Sequence, residues 1–298
     1  MYNVFRRFLP HTIYKKGKEP MKKRILKIAA ISVTVIFVAW ALWLANAIFG
    51  NPISYALATH TAEKHLEECY SESDLVIDGV SYSFKHGYYH AYVSSPSSMD
   101  TSFTLSIGMG GRLLMDDYED RVINKWNTAE RIGGEYRESV DEVLNSDTFP
   151  YNAHIGFGEI IFVQDQSVDD PSMPSYSIST ADLILDGEYD ANELGASAGE
   201  LTIYIEDNDL SYENLAKIVL DVKKAFDAAG VKFCAVDLVL EYPRADDGSR
   251  KDGRVEVMDF LYSDIYVDGM VERVKASDEA ARSYYESQNE EKIKEQTK

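Results

Sequence analysis

The strongest feature in the pattern of hydrophobic and polar positions is an apolar run near the N-terminus. From Ile28 to Phe49 there are 22 consecutive residues without a charge. An α-helix rises about 1.5 Å per residue, so roughly 20 such residues cross the hydrocarbon core of a bilayer. The run therefore predicts a membrane-spanning helix over residues 28–49.

Charge is distributed unevenly on the two sides of this run. Residues 1–49 carry nine Lys/Arg and one Glu, a net +8, which leaves −28 for residues 50–298. All nine basic residues precede Ile28, and positive charge is retained on the cytoplasmic side of a membrane. We therefore expect a single-pass protein of the cell membrane, with a cytoplasmic basic tail over residues 1–27 and everything after the span extracytoplasmic.

A cleaved signal peptide is the alternative to an anchor. The small-x-small sequence at Ala45–Ala47 would suit cleavage after Ala47. Because signal peptides have apolar regions of about 7–15 residues, the longer run here favours an uncleaved anchor. Met21, directly before a Lys-Lys-Arg cluster, is an alternative start of the chain.

Beyond the span, the pattern predicts a first α+β unit over residues 50–146. Residues 52–69 repeat apolar side chains on one helical face, and three following segments alternate apolar and polar positions as half-buried strands do. Residues 122–143 then repeat apolar side chains every three or four positions, which predicts a long helix. The expected order is helix, antiparallel meander, long helix.

A second α+β unit is predicted over residues 150–268, with helices on an antiparallel or mixed sheet. Its clearest element is a helix over Tyr212–Ala229, because Ser211 can cap its start and Gly230 can end it. Residues 269–298 are expected to form a polar helical tail, which is polar on all sides from Lys275 onward. The fold class is therefore α+β, with an N-terminal transmembrane helix and two small units.

The first meander contains the one candidate binding surface. Tyr89, Ala91 and Val93 alternate with Tyr88, His90 and Tyr92, so the latter three share the opposite strand face. If that face is open, its rings form a platform for a ligand. If the 122–143 helix covers it, the rings are a second core layer, and this is the interpretation we favour.

The chain contains no clear local motif for catalysis or metal binding. The histidines lack the spacing of a metal motif, and the serines lack the context of a nucleophile, so no catalytic residue, metal or cofactor is expected. Cys69 and Cys234 both fall on faces predicted to point inward. A disulfide between them is chemically permitted outside the membrane, but two buried thiols are the favoured interpretation.

Several segments resemble one family. GNPISYALA after the span, VSYSFKHGYYHAYVSSPSS with TSFTLSI, and YEDRV before the long helix are similar to YfjL-like proteins of Gram-positive bacteria. The similarity is best over residues 50–145 and weaker over 150–265. It implies a membrane-anchored extracytoplasmic protein, and it brings no activity with it.

Two classes of function fit these features. The favoured one is a non-enzymatic binding or regulatory module of the cell envelope, whose partner is an envelope protein or a cell-wall ligand. The alternative is an envelope hydrolase whose catalytic residues are scattered along the chain. Nucleic acid is excluded as a partner because the strongly negative extracytoplasmic part would repel phosphates. A deep pocket with convergent titratable groups would favour the enzyme.

Overall fold

The computed structural model describes residues 21–164, 174–245 and 247–296. The predicted basic tail therefore lies outside the described residues as far as position 20. The fold is α+β, as predicted, with one long apolar helix followed by two sheet-containing units. The helices are α1 Met21–Phe49, α2 Pro52–Cys69, α3 Trp126–Leu144, α4 Ala191–Ala198, α5 Tyr212–Ala229 and α6 Met270–Gln296. The strands are β1 Val76–Ser83, β2 Tyr88–Ser94, β3 Ser102–Gly108, β4 Leu113–Asp116, β5 Ala153–Ile160, β6 Phe162–Val163, β7 Ile178–Ser179, β8 Gly199–Glu206, β9 Ala235–Glu241 and β10 Arg254–Leu261.

Helix α1 is long and apolar enough to cross a membrane, by length and composition. A signal sequence near an N-terminus would also meet this criterion of length and composition. None of the residues of α1 is buried against the rest of the protein. The helix ends at Gly50, whose left-handed φ of +69° breaks the helical path before α2. Asn51 caps α2 by accepting a hydrogen bond from the Ser54 amide at 2.8 Å.

The first sheet has the order β1-β2-β3-β4 and is antiparallel throughout. Helix α2 packs on one face of it, and the residues between them form a small core. Its members are Ala58, Ala62, Tyr89, Ala91, Val93, Phe103, Leu105, Ile107 and Val122. The β1–β2 and β3–β4 turns lie at the same end of the sheet, because Tyr88 at the start of β2 pairs with Gly108 at the end of β3.

The second sheet has the order β10-β9-β8-β5 and is mixed. Strands β8 and β9 are parallel, and helix α5 connects them, whereas the two outer pairs are antiparallel. The predicted α5 stripe is buried, and Gly230 ends the helix at φ +74°. This unit contains the larger core, which includes Leu201, Ile203 and Phe226.

Helix α3 packs against the second sheet, so the prediction that it closes the first unit is wrong. Its buried residues Ile132, Tyr136 and Val140 belong to the larger core. Strand β5 carries Gly158 where a Cβ would lie 2.5 Å from Val140 Cγ2. Only glycine allows the helix to approach this closely, and a periodic pattern within the helix does not reveal which sheet offers that space.

The C-terminal helix differs from the prediction that it is polar on all sides from Lys275 onward, because Ala281 is buried. Met270 and Val274, before that point, are buried as well, and α6 packs along the edge strand β10. Asp278, also buried, accepts a hydrogen bond from the Glu256 amide at 3.0 Å. The helix therefore covers part of a sheet edge that would otherwise offer free amides to another chain.

A buried ion pair joins the two units at the far end of the first sheet. Asp100, in the β2–β3 loop and 2% exposed, receives hydrogen bonds from Arg131 Nε and Nη2 at 2.9 and 3.0 Å. Thr128 donates to the same carboxylate at 2.8 Å, and Arg131 also donates to the carbonyl of Gly187. Although burial opposes it, this set of donors holds the pKa of Asp100 below its usual value.

We predict that Phe226→Ala lowers the unfolding free energy by about 3–5 kcal/mol, because it leaves a cavity in the larger core. Phe226 is fully buried and contacts the Phe233 ring edge-to-face at 5.6 Å. Denaturant unfolding of the full chain measures the change. Lys224→Ala, at an exposed position of the same helix, is the control. A loss below about 1 kcal/mol for Phe226→Ala would contradict this packing.

Candidate functional site

The predicted site residues Tyr88, His90 and Tyr92 share one face of β2, opposite the face that α2 covers. Because α3 packs elsewhere, this face is not a second core layer, and that prediction is wrong. Tyr88 and His90 are half-buried, and Tyr92 is 46% exposed. The binding assignment of the three residues remains a proposal, on a face that solvent reaches.

These residues and His86 form a continuous row of rings, which we call the ring row. His86 stacks on Tyr88 at 5.2 Å between centroids, Tyr88 meets His90 edge-to-face at 5.1 Å, and His90 lies 6.3 Å from Tyr92. Burial, together with the neighbouring His86, lowers the pKa of His90. Its ring is therefore neutral at pH 7.

Hydroxyl groups from the neighbouring strands flank the ring row. Ser81 Oγ lies 3.2 Å from the Tyr92 hydroxyl, and Ser106 Oγ lies 3.3 Å from His90 Nδ1. Ser83 Oγ lies 3.2 Å from His86 Nδ1. The face therefore combines aromatic surface with small hydrogen-bonding groups.

A second candidate site lies on the second sheet and was not predicted. Glu200 of β8, Asp237 of β9 and Asp259 of β10 bring carboxylate oxygens within 4.8 Å of one another. A bulge between Val257 and Phe260 positions the last of them, since Asp259 has a left-handed φ of +47°. We call these three residues the carboxylate cluster.

Tyr176 bridges two members of the carboxylate cluster. Its hydroxyl lies 3.0 Å from Glu200 Oε2 and 2.6 Å from Asp259 Oδ1. A phenol has one proton and can donate to only one of these oxygens. The other contact becomes a hydrogen bond when that carboxyl group is protonated, so the geometry favours a proton held within the cluster.

The environment of the cluster also favours the protonated form of its carboxyl groups. Burial and the neighbouring Asp237 raise the pKa of Glu200 to about 7. Burial likewise raises the pKa of Asp237 to about 6, although the Asp259 amide donates to it at 2.7 Å. In the described part of the chain, no lysine or arginine forms a salt bridge with any of the three carboxylates.

The cluster opens into a cavity of about 740 Å³ between α3 and the sheet. Trp126, Glu130 and Arg137 line it from the helix, and Glu159 from β5. Three carboxylate oxygens could hold a hard divalent cation such as Ca²⁺ or Mg²⁺. A carboxyl pair that shares one proton could instead serve as general acid and base.

Sequence reasoning missed this cluster because its members are far apart along the chain and match no local motif. One signal was present: Asp237 interrupts the apolar strand run CAVDLVLE, and Asp259 lies within VMDFLY. A carboxylate inside a strand that is otherwise apolar is costly to bury, and such a position can mark a polar site. The register that places them side by side comes only from the sheet.

Both cysteines are free thiols, and Cys69 is exposed rather than facing inward as predicted. Its sulfur lies 3.6 Å from His65 Nδ1, and His65 Nε2 lies 2.8 Å from Asp116. The order of groups is that of a thiol nucleophile, base and orienting acid. Cys69 is the last residue of α2, at an exposed position. Cys234 is half-buried in the second unit, where burial raises its pKa.

Comparison with protein-family models identifies both units. The YfjL-like N-terminal domain matches residues 22–117, and the YfjL-like C-terminal domain matches residues 135–275. No curated protein and no solved structure matches the chain significantly. The second match begins within α3, in agreement with the packing of that helix on the second sheet.

We predict that the free energy of unfolding falls as the pH rises through the range in which the carboxylate cluster loses its proton. The folded state binds a proton more tightly than the unfolded chain does, so stability is complete below the unfolded pKa and is lost between about pH 4.5 and about pH 7. The loss should be on the order of 1–3 kcal/mol, measured as unfolding free energy. Glu200→Gln should flatten this dependence.

The control for this experiment is Glu138→Gln, at an exposed position of α3. It removes one carboxylate outside the cavity and should leave the pH dependence as in the wild type. Equal slopes for the wild type and Glu200→Gln would show that the cluster does not hold a proton in the folded state.

Proposed function

Since the chain belongs to the YfjL-like family and carries both of its domains, we propose that it is a single-pass membrane protein with these domains on the extracytoplasmic side. The uncovered apolar helix α1 and the basic residues before it support this topology. The net charge of −28 after residue 49 is in keeping with a domain pair that stays outside.

The contacts around Ala47 favour an anchor that is retained over one that is cleaved after this residue. Tyr82 donates its hydroxyl to the Ala47 carbonyl at 3.1 Å, and Gly50 donates its amide to the Asn46 carbonyl at 3.0 Å. Cleavage would remove the acceptor of Tyr82 in the first sheet and the acceptor of Gly50 at the junction with α2. The anchor is therefore part of the folded unit and more than a targeting segment.

The function we propose is non-enzymatic binding of a cell-wall polysaccharide on the ring row. The observation that carries this proposal is the continuous row of half-exposed rings on a sheet face that no helix covers among the described residues. Sugar rings have apolar C–H faces that pack on aromatic rings, and their hydroxyl groups bond to serine, tyrosine and histidine. From Tyr88 to Tyr92 the strand extends about 13 Å, which suits an extended polymer.

Electrostatics also favours such a ligand at this face. Residues 79–99 contain no Asp or Glu, whereas the extracytoplasmic part as a whole is strongly acidic. An anionic envelope polymer would be repelled less here than over the rest of the acidic surface. Tyr92 is 46% exposed, and an accessible face of this kind suits a long polymer.

An envelope hydrolase is the second candidate, and the carboxylate cluster favours it. Glu200 and Asp237 have raised pKa values and face a cavity, which is the arrangement expected of a general acid and base. The two functions use different residues and are therefore separable by mutation. Loss of a hydrolytic activity in Asp237→Asn, with polymer binding retained, would favour the enzyme.

We predict that replacing Tyr88, His90 and Tyr92 together with alanine weakens retention on isolated cell-wall polysaccharide. If each lost ring costs about 0.5–1.5 kcal/mol, binding should weaken by at least about tenfold. Co-sedimentation of the full chain in detergent with insoluble wall material measures it. Because the rings are half-exposed, the triple variant should lose less stability than Phe226→Ala.

The matched control is the double variant Tyr88→Phe with Tyr92→Phe, which keeps the rings and removes two hydroxyl groups. It should retain most of the binding if ring packing provides the affinity. A folded triple-alanine variant that sediments like the wild type would overturn the proposed function.

A further inference from the structure

The end of the first sheet that carries the β1–β2 turn lies beside the last turn of α1. Tyr82 Oη donates to the carbonyl of Ala47, two residues before the helix ends. Tyr89 Oη accepts from the Asn51 amide at 2.9 Å and donates to the Asn51 carbonyl at 3.0 Å. These bonds fix the base of β1 and β2 against the junction between α1 and α2.

The β1–β2 turn follows that contact closely in the chain. Tyr82 is the last but one residue of β1, and the turn begins at Phe84, two residues later. Two residues of chain span at most about 7 Å. The interfacial layer on each side of the hydrocarbon core is about 5–8 Å thick, so the turn is close enough to the end of α1 to contact the lipid headgroups when α1 spans a bilayer.

The side chains at this level suit a lipid surface. Phe84 is 74% exposed, and it is followed by the exposed cation Lys85. Ile53, at the start of α2, is also 74% exposed. Grouped exposed apolar side chains can mark a membrane contact, and aromatic and basic residues are typical of membrane-water interfaces.

The distribution of carboxylates along the chain is compatible with a lipid contact at the β1–β2 turn. Between Asp78 and Asp116 the only acidic residue is Asp100, and residues 20–62 contain none. Asp100 lies at the opposite end of the sheet, where Arg131 pairs with it. In a part of the protein with net charge −28, residues 50–62 and 79–99 thus carry no carboxylate that lipid phosphates would repel.

We propose that the β1–β2 turn, residues 84–87, is a second membrane contact, in which Phe84 inserts among the lipid headgroups and Lys85 pairs with their phosphates. This inference rests on the proposed membrane anchor. The occupant of the surface is the outer leaflet of a phospholipid bilayer. Two attachment points, α1 and the turn, would hold the first sheet in one orientation and keep its far end, with the acidic second unit, away from the membrane.

The test places a fluorescent NBD label at single cysteines of the full chain in nanodiscs of phosphatidylethanolamine and phosphatidylglycerol. The two native cysteines are removed by Cys69→Ser and Cys234→Ser. The label is then attached to one new cysteine at a time, in Phe84→Cys, Val35→Cys or Ile184→Cys. Val35 lies within α1, and Ile184 is 70% exposed in the second unit. Brominated lipids then quench labels that contact the acyl chains or the interface.

We expect a blue-shifted, strongly quenched label at Phe84→Cys and at Val35→Cys, and an unquenched label at Ile184→Cys. Lys85→Glu should reduce the quenching at Phe84→Cys, whereas Lys64→Glu, an exposed lysine farther along α2, should not. Quenching at Val35→Cys without quenching at Phe84→Cys would overturn the turn contact and leave the anchor intact. An unquenched label at Val35→Cys would overturn both.

Discussion

The junction between α1 and α2 determines how the rest of the protein is presented. Gly50 adopts a left-handed conformation that ends the apolar helix, and a Cβ there would overlap the rings of Tyr82 and Tyr89. Those two rings close over the junction and bond to Ala47 and Asn51. Because the bonds are made by β1 and β2, the direction of the span fixes the direction of the first sheet and of the ring row on it.

The second unit is positioned in turn by Asp100 at the far end of that sheet. Its carboxylate is almost fully buried and paired with Arg131 of α3, whose apolar face lies in the larger core. A buried charge without its partner would cost several kcal/mol, so the pair specifies one arrangement more than it adds stability. A helix that is adjacent to the first unit in sequence thus belongs to the second unit and connects the two.

Much of the fold was readable from the sequence because periodicity is a local property. The apolar helix, the strand alternation of β1 to β3, and α5 with its Ser211 cap follow from neighbouring residues alone. The packing of α3 was not readable, since it depends on Gly158 in another element. The ring row was found as a strand face, but its exposure depends on where α3 packs. The carboxylate cluster depends on strand register and on a bulge at Asp259, which no local pattern shows.

The central claim is that the two YfjL-like domains lie outside the cell on a retained anchor. The most direct test is labelling of intact cells with a membrane-impermeant maleimide, since the Cys69 thiol is exposed at the end of α2. In a Cys234→Ser background, we expect Cys69 to react in intact cells. In the variant that lacks both native thiols, Lys23→Cys should react only after permeabilisation. Protection of Cys69 together with labelling of Lys23→Cys in intact cells would contradict the account.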